Sequence, residues 1–218
     1  MLRLDFLITL FVTLRNNRNK MENEKQSKSY RLILDTAQPL FWKHGVKRVS
    51  VEEICKEAGV SKMTFYRNFK NKIELIEQIM KELFQHGLKE YNAVMNQDIP
   101  FAQKIEQIIL KKFENTEDLS QEFIQEIYIN GDEKIQKMII EFTNATLIQF
   151  KNDMLEAQKK GYIRKDIKIE LLMKMREVMA NVMADDAFIA LYKTPQEAII
   201  EITRFYFYGM MNSEEAKK

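Results

Sequence analysis

The sequence predicts an all-α protein, with a compact three-helix unit at the N-terminal end and a larger helical bundle after it. Breakers are scarce: six Gly and three Pro in 218 residues are too few for a turn-dense β protein. Apolar residues recur at three- and four-residue spacing along most of the chain, the period of a helix that buries one face. Basic charge is concentrated in one stretch. Between Lys43 and Lys72 eight Lys and Arg stand against three Glu, a local +5 in a chain of net +2.

The same counts exclude several classes. With 45% apolar and 30% charged residues the chain can bury one sizeable core or two small ones, and a net charge of +2 is not that of a histone-like polycation. One cysteine rules out an intrachain disulfide and a multi-thiolate zinc site. Two histidines, His44 and His86, give little material for a catalytic triad or a multi-histidine metal site. A carboxylate-only site stays open. We therefore expect no enzyme activity, no metal and no cofactor.

The opening run MLRLDFLITLFVTLR is apolar but short. A membrane span needs about 20 apolar residues, Asp5 interrupts this one, and Arg15 and Arg18 follow it where a signal peptide would have a small-residue cleavage site. We expect residues 1–20 to be a dispensable or misannotated extension, with Met21 as the natural start, and no membrane anchor.

From Ser29 to His44 the positions Ile33, Leu34, Ala37, Leu40 and Phe41 form a helical stripe that stops at Gly45. Pro39 lies within it and removes one backbone hydrogen bond. Ser50-Val51-Glu52-Glu53 reads as a capping box, flanked by Val49 and Ile54 as a hydrophobic staple. The short helix that it opens carries Val51, Ile54, Cys55 and Ala58 on one face and ends at Gly59. Ser61 caps the next helix, with Val60 and Phe65 as its staple, and Phe65 and Phe69 four residues apart on the inward face. Two helices joined by a tight Gly-Val-Ser turn make a helix-turn-helix. Asn71-Lys72-Ile73-Glu74 caps a long amphipathic helix that runs on through Ile76, Met80, Phe84 and Tyr91. After a loop at 96–100, breaks near Asn115 to Leu119, at Asn130-Gly131, at Gly161 and at Thr194-Pro195 leave roughly five further helices. The charged end, 213–218, reads as a disordered tail.

On the second helix of the pair, Lys62, Met63, Thr64, Tyr66, Arg67 and Asn68 point away from Phe65 and Phe69. They offer cations, hydroxyls, an amide and an apolar tip, a set suited to phosphates and base edges. A solvated basic face on a helical hairpin is the plainer reading, but caps, turn, aromatic anchors and charge asymmetry agree over thirty residues.

The segments ILDTAQPLFWKHG and SVEEICKEAGVSKMTFYRNFKNKIEL resemble the DNA-binding domain of the tetracycline-repressor (TetR/AcrR) family of transcriptional regulators, over about Tyr30 to Met80. The resemblance implies a DNA-binding domain at 21–75 and a helical regulatory and dimerisation domain at 76–212. It implies base contacts from Lys62, Met63, Thr64, Arg67 and Asn68, phosphate contacts from Tyr66 and Lys72, and a backbone contact from Ser50. Met63 departs from the family, which more often has Gly, Ala or Pro there; the longer side chain either reads a thymine methyl or fills space.

Further along, EAQKKGYIRKDIKIELLM and AIIEITRFYFYGM are similar to the family's segment before its penultimate helix and to its last helix, which together build a four-helix dimer interface. The corresponding stripes here are Leu172, Met175, Met179, Val182 and Met183, with Ile199, Ile202, Phe205 and Gly209. The family's small-molecule pocket lies among the central helices, and the candidates are Phe84, Tyr91, Phe113, Phe123, Tyr128, Met138, Phe142 and Met179. Eight of the thirteen Met follow Gly131, which suits either an adaptable pocket or a plain helical core. His86, Glu126 and Arg176 are ionisable candidates, none favoured over the others.

The expected function is thus a cytoplasmic homodimeric repressor that binds a palindromic double-stranded operator and is released by a small hydrophobic ligand. One alternative keeps the fold but answers to a protein partner or activates transcription. A helical enzyme with an incidental helix-turn-helix would need a nucleophile motif or phosphate loop, and the sequence shows neither.

Overall fold

The computed structural model describes residues 27–116, 118–129, 131–183 and 185–212, without the side chains of Asn115, Tyr128, Ile129 and Ala180. The N-terminal extension and the charged tail lie outside the described residues. Every element among those described is helical: α1 Lys28–His44, α2 Val51–Glu57, α3 Lys62–Asn68, α4 Lys72–Met95, α5 Phe101–Asn115, α6 Gln121–Ile124 continued by a π-helix Gln125–Ile129, α7 Glu133–Lys159, α8 Ile169–Met183, α9 Asp186–Ile189 and α10 Pro195–Met210. None is long and apolar enough to cross a membrane.

The caps that bound the first helices are made as their residue types require. Ser27 caps α1 by accepting from the Tyr30 amide, and Gly45 ends it at φ +76°, a conformation that a side chain would oppose. Pro39 occupies an exposed position of α1, where water most cheaply replaces the lost helix bond. The Ser50–Glu53 capping box is closed in both directions, at 3.0 Å from the Glu53 amide and 3.4 Å to the Glu53 carboxylate. Ser61 accepts from the Thr64 amide at 3.1 Å, and Asn71 from the Glu74 amide at 2.9 Å.

The chain divides into two compact units. The first holds described residues 27–83 and 118–136. Its interior is built from Ile33, Phe41, Ile54, Phe65, Leu75, Ile76, Met80, Phe123 and Ile135, all essentially without solvent contact. Segment 118–136, which the sequence assigns to the regulatory domain, belongs to this unit. The Ser120 amide donates to the Trp42 carbonyl at 2.9 Å, the rings of Trp42 and Phe123 lie 4.4 Å apart, and the Glu126 carboxylate accepts from the Lys47 amide at 2.8 Å. The boundary expected at 75/76 falls inside α4, whose residues 72–83 count with the first unit and 84–95 with the second.

The second unit packs α5, α7, α8 and α10 with the end of α4 around Tyr91, Ile105, Phe150, Met154, Ile163, Leu172, Phe207 and Met210. Polar ties close it. The Tyr206 hydroxyl donates to the Leu172 carbonyl at 3.1 Å, and an antiparallel bridge between Ile163 and Met211 fastens the end of α10.

Candidate nucleic-acid interface

The recognition face follows from how α3 is anchored. Phe65 is fully buried and Phe69 nearly so, with ring centroids 5.9 Å apart, and Tyr30 of α1 stacks on Phe69 at 4.8 Å. With one side of the helix held inward, the opposite side must face outward. Met63 is 82% exposed and Tyr66 56%, while Lys62 and Arg67 are exposed beside them. Tyr66 sits edge-on to Phe65, 5.4 Å between centroids, so its ring is braced while its hydroxyl stays outside. Lys43, Lys47, Arg48, Lys56 and Lys70 are exposed as well, and the helix-turn-helix is ringed by cations.

Not every residue in the expected contact set has a free head group. Lys62 is paired with Glu52 of α2, which holds the Glu52 carboxyl below its usual range and raises the Lys62 ammonium. Thr64 is half-buried and shares a hydrogen bond with the Ser61 hydroxyl at 3.0 Å. Asn68 turns inward: its amide donates to the Thr64 carbonyl at 2.6 Å and its oxygen accepts from the Ser27 hydroxyl at 3.1 Å. It ties the end of α3 to the start of α1.

Lys72 also serves the fold. Its ammonium donates to the carbonyls of Val46, Lys47 and Val49 at 2.7, 3.2 and 2.6 Å, stapling the loop between α1 and α2. Burial lowers the Lys72 ammonium from its ordinary value, and the charge of Glu126 opposes that shift. Ser50 is exposed at the head of α2 with its side chain occupied by the cap. The residues that face outward are therefore Met63, Tyr66 and Arg67, together with Lys62, which is exposed but paired with Glu52. Sequence reasoning offered Glu126 only as a ligand anchor and missed its place beside the helix-turn-helix, where its carboxylate accepts from the Lys47 amide and would meet a Cβ at Gly45 at 3.1 Å; 79 residues separate Glu126 from Lys47.

Residues 33–79 match the family model described as bacterial regulatory proteins, tetR family. Over these residues the chain carries the N-terminal domain of the tetR family. It is a helix-turn-helix transcriptional regulator, and its relatives read the same way. YhgD of Bacillus subtilis, an uncharacterized HTH-type transcriptional regulator, is 27% identical over 136 residues, 62% of this chain and 71% of that one. The Tn10 TetC protein of Escherichia coli is 36% identical over 67 residues, 31% of this chain and 33% of its own. The fold is shared with the regulatory protein TetR of Rhodobacter sphaeroides (TM-score 0.68, 14% identity, 85% and 100% coverage). It is shared too with FadR of Bacillus subtilis in complex with stearoyl-CoA (TM-score 0.62, 17% identity, 83% and 99% coverage).

In the second unit a narrow, partly open cleft is lined by Leu88, Tyr91, Ile108, Thr146, Gln149, Phe150, Arg176 and Phe207. Of the eight pocket candidates only Tyr91 lines it. Phe84 is buried against Phe142, 4.9 Å between rings, Met179 lies in the core, Met138 is half-buried, and Phe113 is half-exposed. Phe123 belongs to the first unit, against Trp42. The Tyr128 side chain lies outside the described residues.

The interface stripes separate in a similar way. Leu172, Met179, Met183 and Ile199 are buried within the chain, and Met175, Val182 and Ile202 are half-buried. Phe205 is 69% exposed, and a Cβ at Gly209 would meet nothing within 4 Å. Leu171, Val178 and Tyr208, which the sequence reading left out, are exposed beside them on α8 and α10.

Proposed function

We propose that this regulator is a homodimer that binds a palindromic operator and is released by a small apolar ligand held in the second unit. The observation that carries the DNA half is the outward set Lys62, Met63, Tyr66 and Arg67, braced on Phe65 and Phe69. One seven-residue helix reads only a few base pairs, and pairing two copies doubles the contacts. Support for pairing comes from Phe205, Tyr208, Leu171 and Val178, large apolar groups exposed on α8 and α10. Such a patch is what a partner surface covers. Support for a ligand comes from the apolar cleft and from the fold neighbour FadR, which carries stearoyl-CoA.

The test is binding to a selected duplex over a range of salt. Several phosphates neutralised per half-site give a slope of log K against log salt of about −4 to −8; a flat response would refute the reading. On the same duplex Tyr66→Phe is expected to weaken binding to every sequence alike by about 1 kcal/mol, one hydrogen bond. Arg67→Ala changes the preferred bases instead, with roughly 1 to 3 kcal/mol at stake for a bidentate contact. Site selection that returns the wild-type motif for Arg67→Ala would remove Arg67 from the reading face.

Release works through α4, which begins at Lys72 and runs past Phe84 to Tyr91. A ligand that packs better against one tilt of this helix shifts Lys72 and α3 relative to the partner subunit, and only differential affinity for the two tilts can do so. A preference of about 100-fold corresponds to roughly 2.7 kcal/mol of coupling. By reciprocity the operator weakens ligand binding by the same factor. Equal ligand affinities with and without operator would exclude this route.

A further inference from the structure

We infer that Glu52 is a specificity-determining residue of the DNA interface: joined to Lys62, it offers a base edge a donor and an acceptor side by side, where an unpaired lysine would seek any phosphate. This rests on the reading of α3 as the helix that enters the groove, and it adds a residue of α2 to the reading face.

Glu52 is the second residue of α2 and Lys62 the first of α3, so the pair stands where both helices of the helix-turn-helix begin. A recognition helix places its N-terminal residues against base edges. The Lys62 ammonium meets the Glu52 carboxylate in an ion pair whose side chains are 55% and 61% exposed, and both heads lie at the surface. The neighbouring polar groups are turned to other tasks. Ser61 caps α3 and shares a hydrogen bond with Thr64, and the Glu53 carboxylate closes the capping box at Ser50. An ion pair this exposed contributes little to folding, so its removal tests recognition and not the fold.

The chemistry of the pair decides what it can face. A phosphate offers only acceptors and a negative charge, which attracts the ammonium and repels the carboxylate beside it. A lysine already neutralised in this way releases no counterion on binding. The centre of a base pair in the major groove does match. There guanine O6 accepts beside the cytosine amino donor, and thymine O4 accepts beside the adenine amino donor. An ammonium keeps two N–H donors after making one bond, enough to hold Glu52 and reach a base acceptor at once.

The test is site selection and salt titration on the full chain with Glu52→Gln, Lys62→Gln and Glu57→Gln, the last an exposed acid at the end of the same helix. Glu52→Gln leaves the Lys62 ammonium to the phosphates. The slope of log K against log salt should steepen by about 1 per half-site, affinity for random duplex should rise about tenfold at about 0.1 M salt, and preference should relax at one position of the half-site. Lys62→Gln should relax the same position while weakening binding to every duplex, because a bare carboxylate then faces the DNA. Glu57→Gln should keep the wild-type motif. All three should keep the wild-type urea midpoint of Trp42 fluorescence. A motif unchanged by Glu52→Gln, or relaxed at different positions by Glu52→Gln and Lys62→Gln, overturns the inference, as does a slope change no larger than that of Glu57→Gln. Those results leave the DNA reading intact as long as the wild-type chain binds its duplex with a steep salt response, whereas a flat response from the wild-type chain refutes both.

Discussion

Phe65→Ala is expected to abolish operator binding and to destabilise the first unit by about 3 to 5 kcal/mol, the range for truncating a fully buried aromatic. Phe65 has no solvent contact and touches the rings of both Phe69 and Tyr66. It is the pin that turns the rest of α3 outward. The cavity left by its loss cannot collapse without moving α3 against α1 and α2, so the outward set loses its register even in molecules that remain folded. Trp42, the chain's single tryptophan, is buried in the same unit, and its fluorescence in a urea titration reports this unit's unfolding directly. Met63→Ala, on the same helix but 82% exposed, should leave the midpoint within about 0.5 kcal/mol of wild type. A Phe65→Ala chain with a wild-type midpoint would show that α3 is held by something else.

The helix-turn-helix was legible because its signals are local. The boxes at Ser50 and Ser61, the stop at Gly59 and the spacing of Phe65 to Phe69 all act within a few residues, and each stands where its chemistry demands. What escaped is long-range or two-sided. Glu126 reaches the Lys47 amide, and Phe123 packs on Trp42, across about eighty residues whose helical period says nothing of which neighbour they meet. Asn68 reads as outward by its position on α3, yet three polar partners on α1 and α3 capture it, because an amide at a helix end finds unsatisfied groups nearby. On α8 apolar residues occupy more than one face: Leu172 and Met179 are buried while Leu171 and Val178 are exposed. Period alone cannot tell which stripe faces the chain's own core. For several of the residues that the sequence reading offered as interface, the structure therefore shows the inner face of these helices.

Phe205→Arg turns that distinction into a measurement. Phe205 is 69% exposed in the single chain, so replacing it should not disturb the core, and the thermal midpoint of the monomer fold should stay close to wild type. At a two-fold interface every residue is used twice, and a buried aromatic anchor is typically worth about 2 kcal/mol or more per copy. Loss of both anchors, with two cations brought together in their place, removes on the order of 4 kcal/mol or more of association, about a thousandfold. Light scattering at micromolar concentration should then report monomers, and operator affinity should fall by a similar factor because each α3 must find its half-site alone. Leu172→Ala is the counter-case: Leu172 is buried within the chain, and its truncation should lower stability by about 2 to 5 kcal/mol while whatever protein remains folded stays dimeric. A Phe205→Arg chain that remains dimeric and binds operator as wild type does would move the interface off this face of α8 and α10.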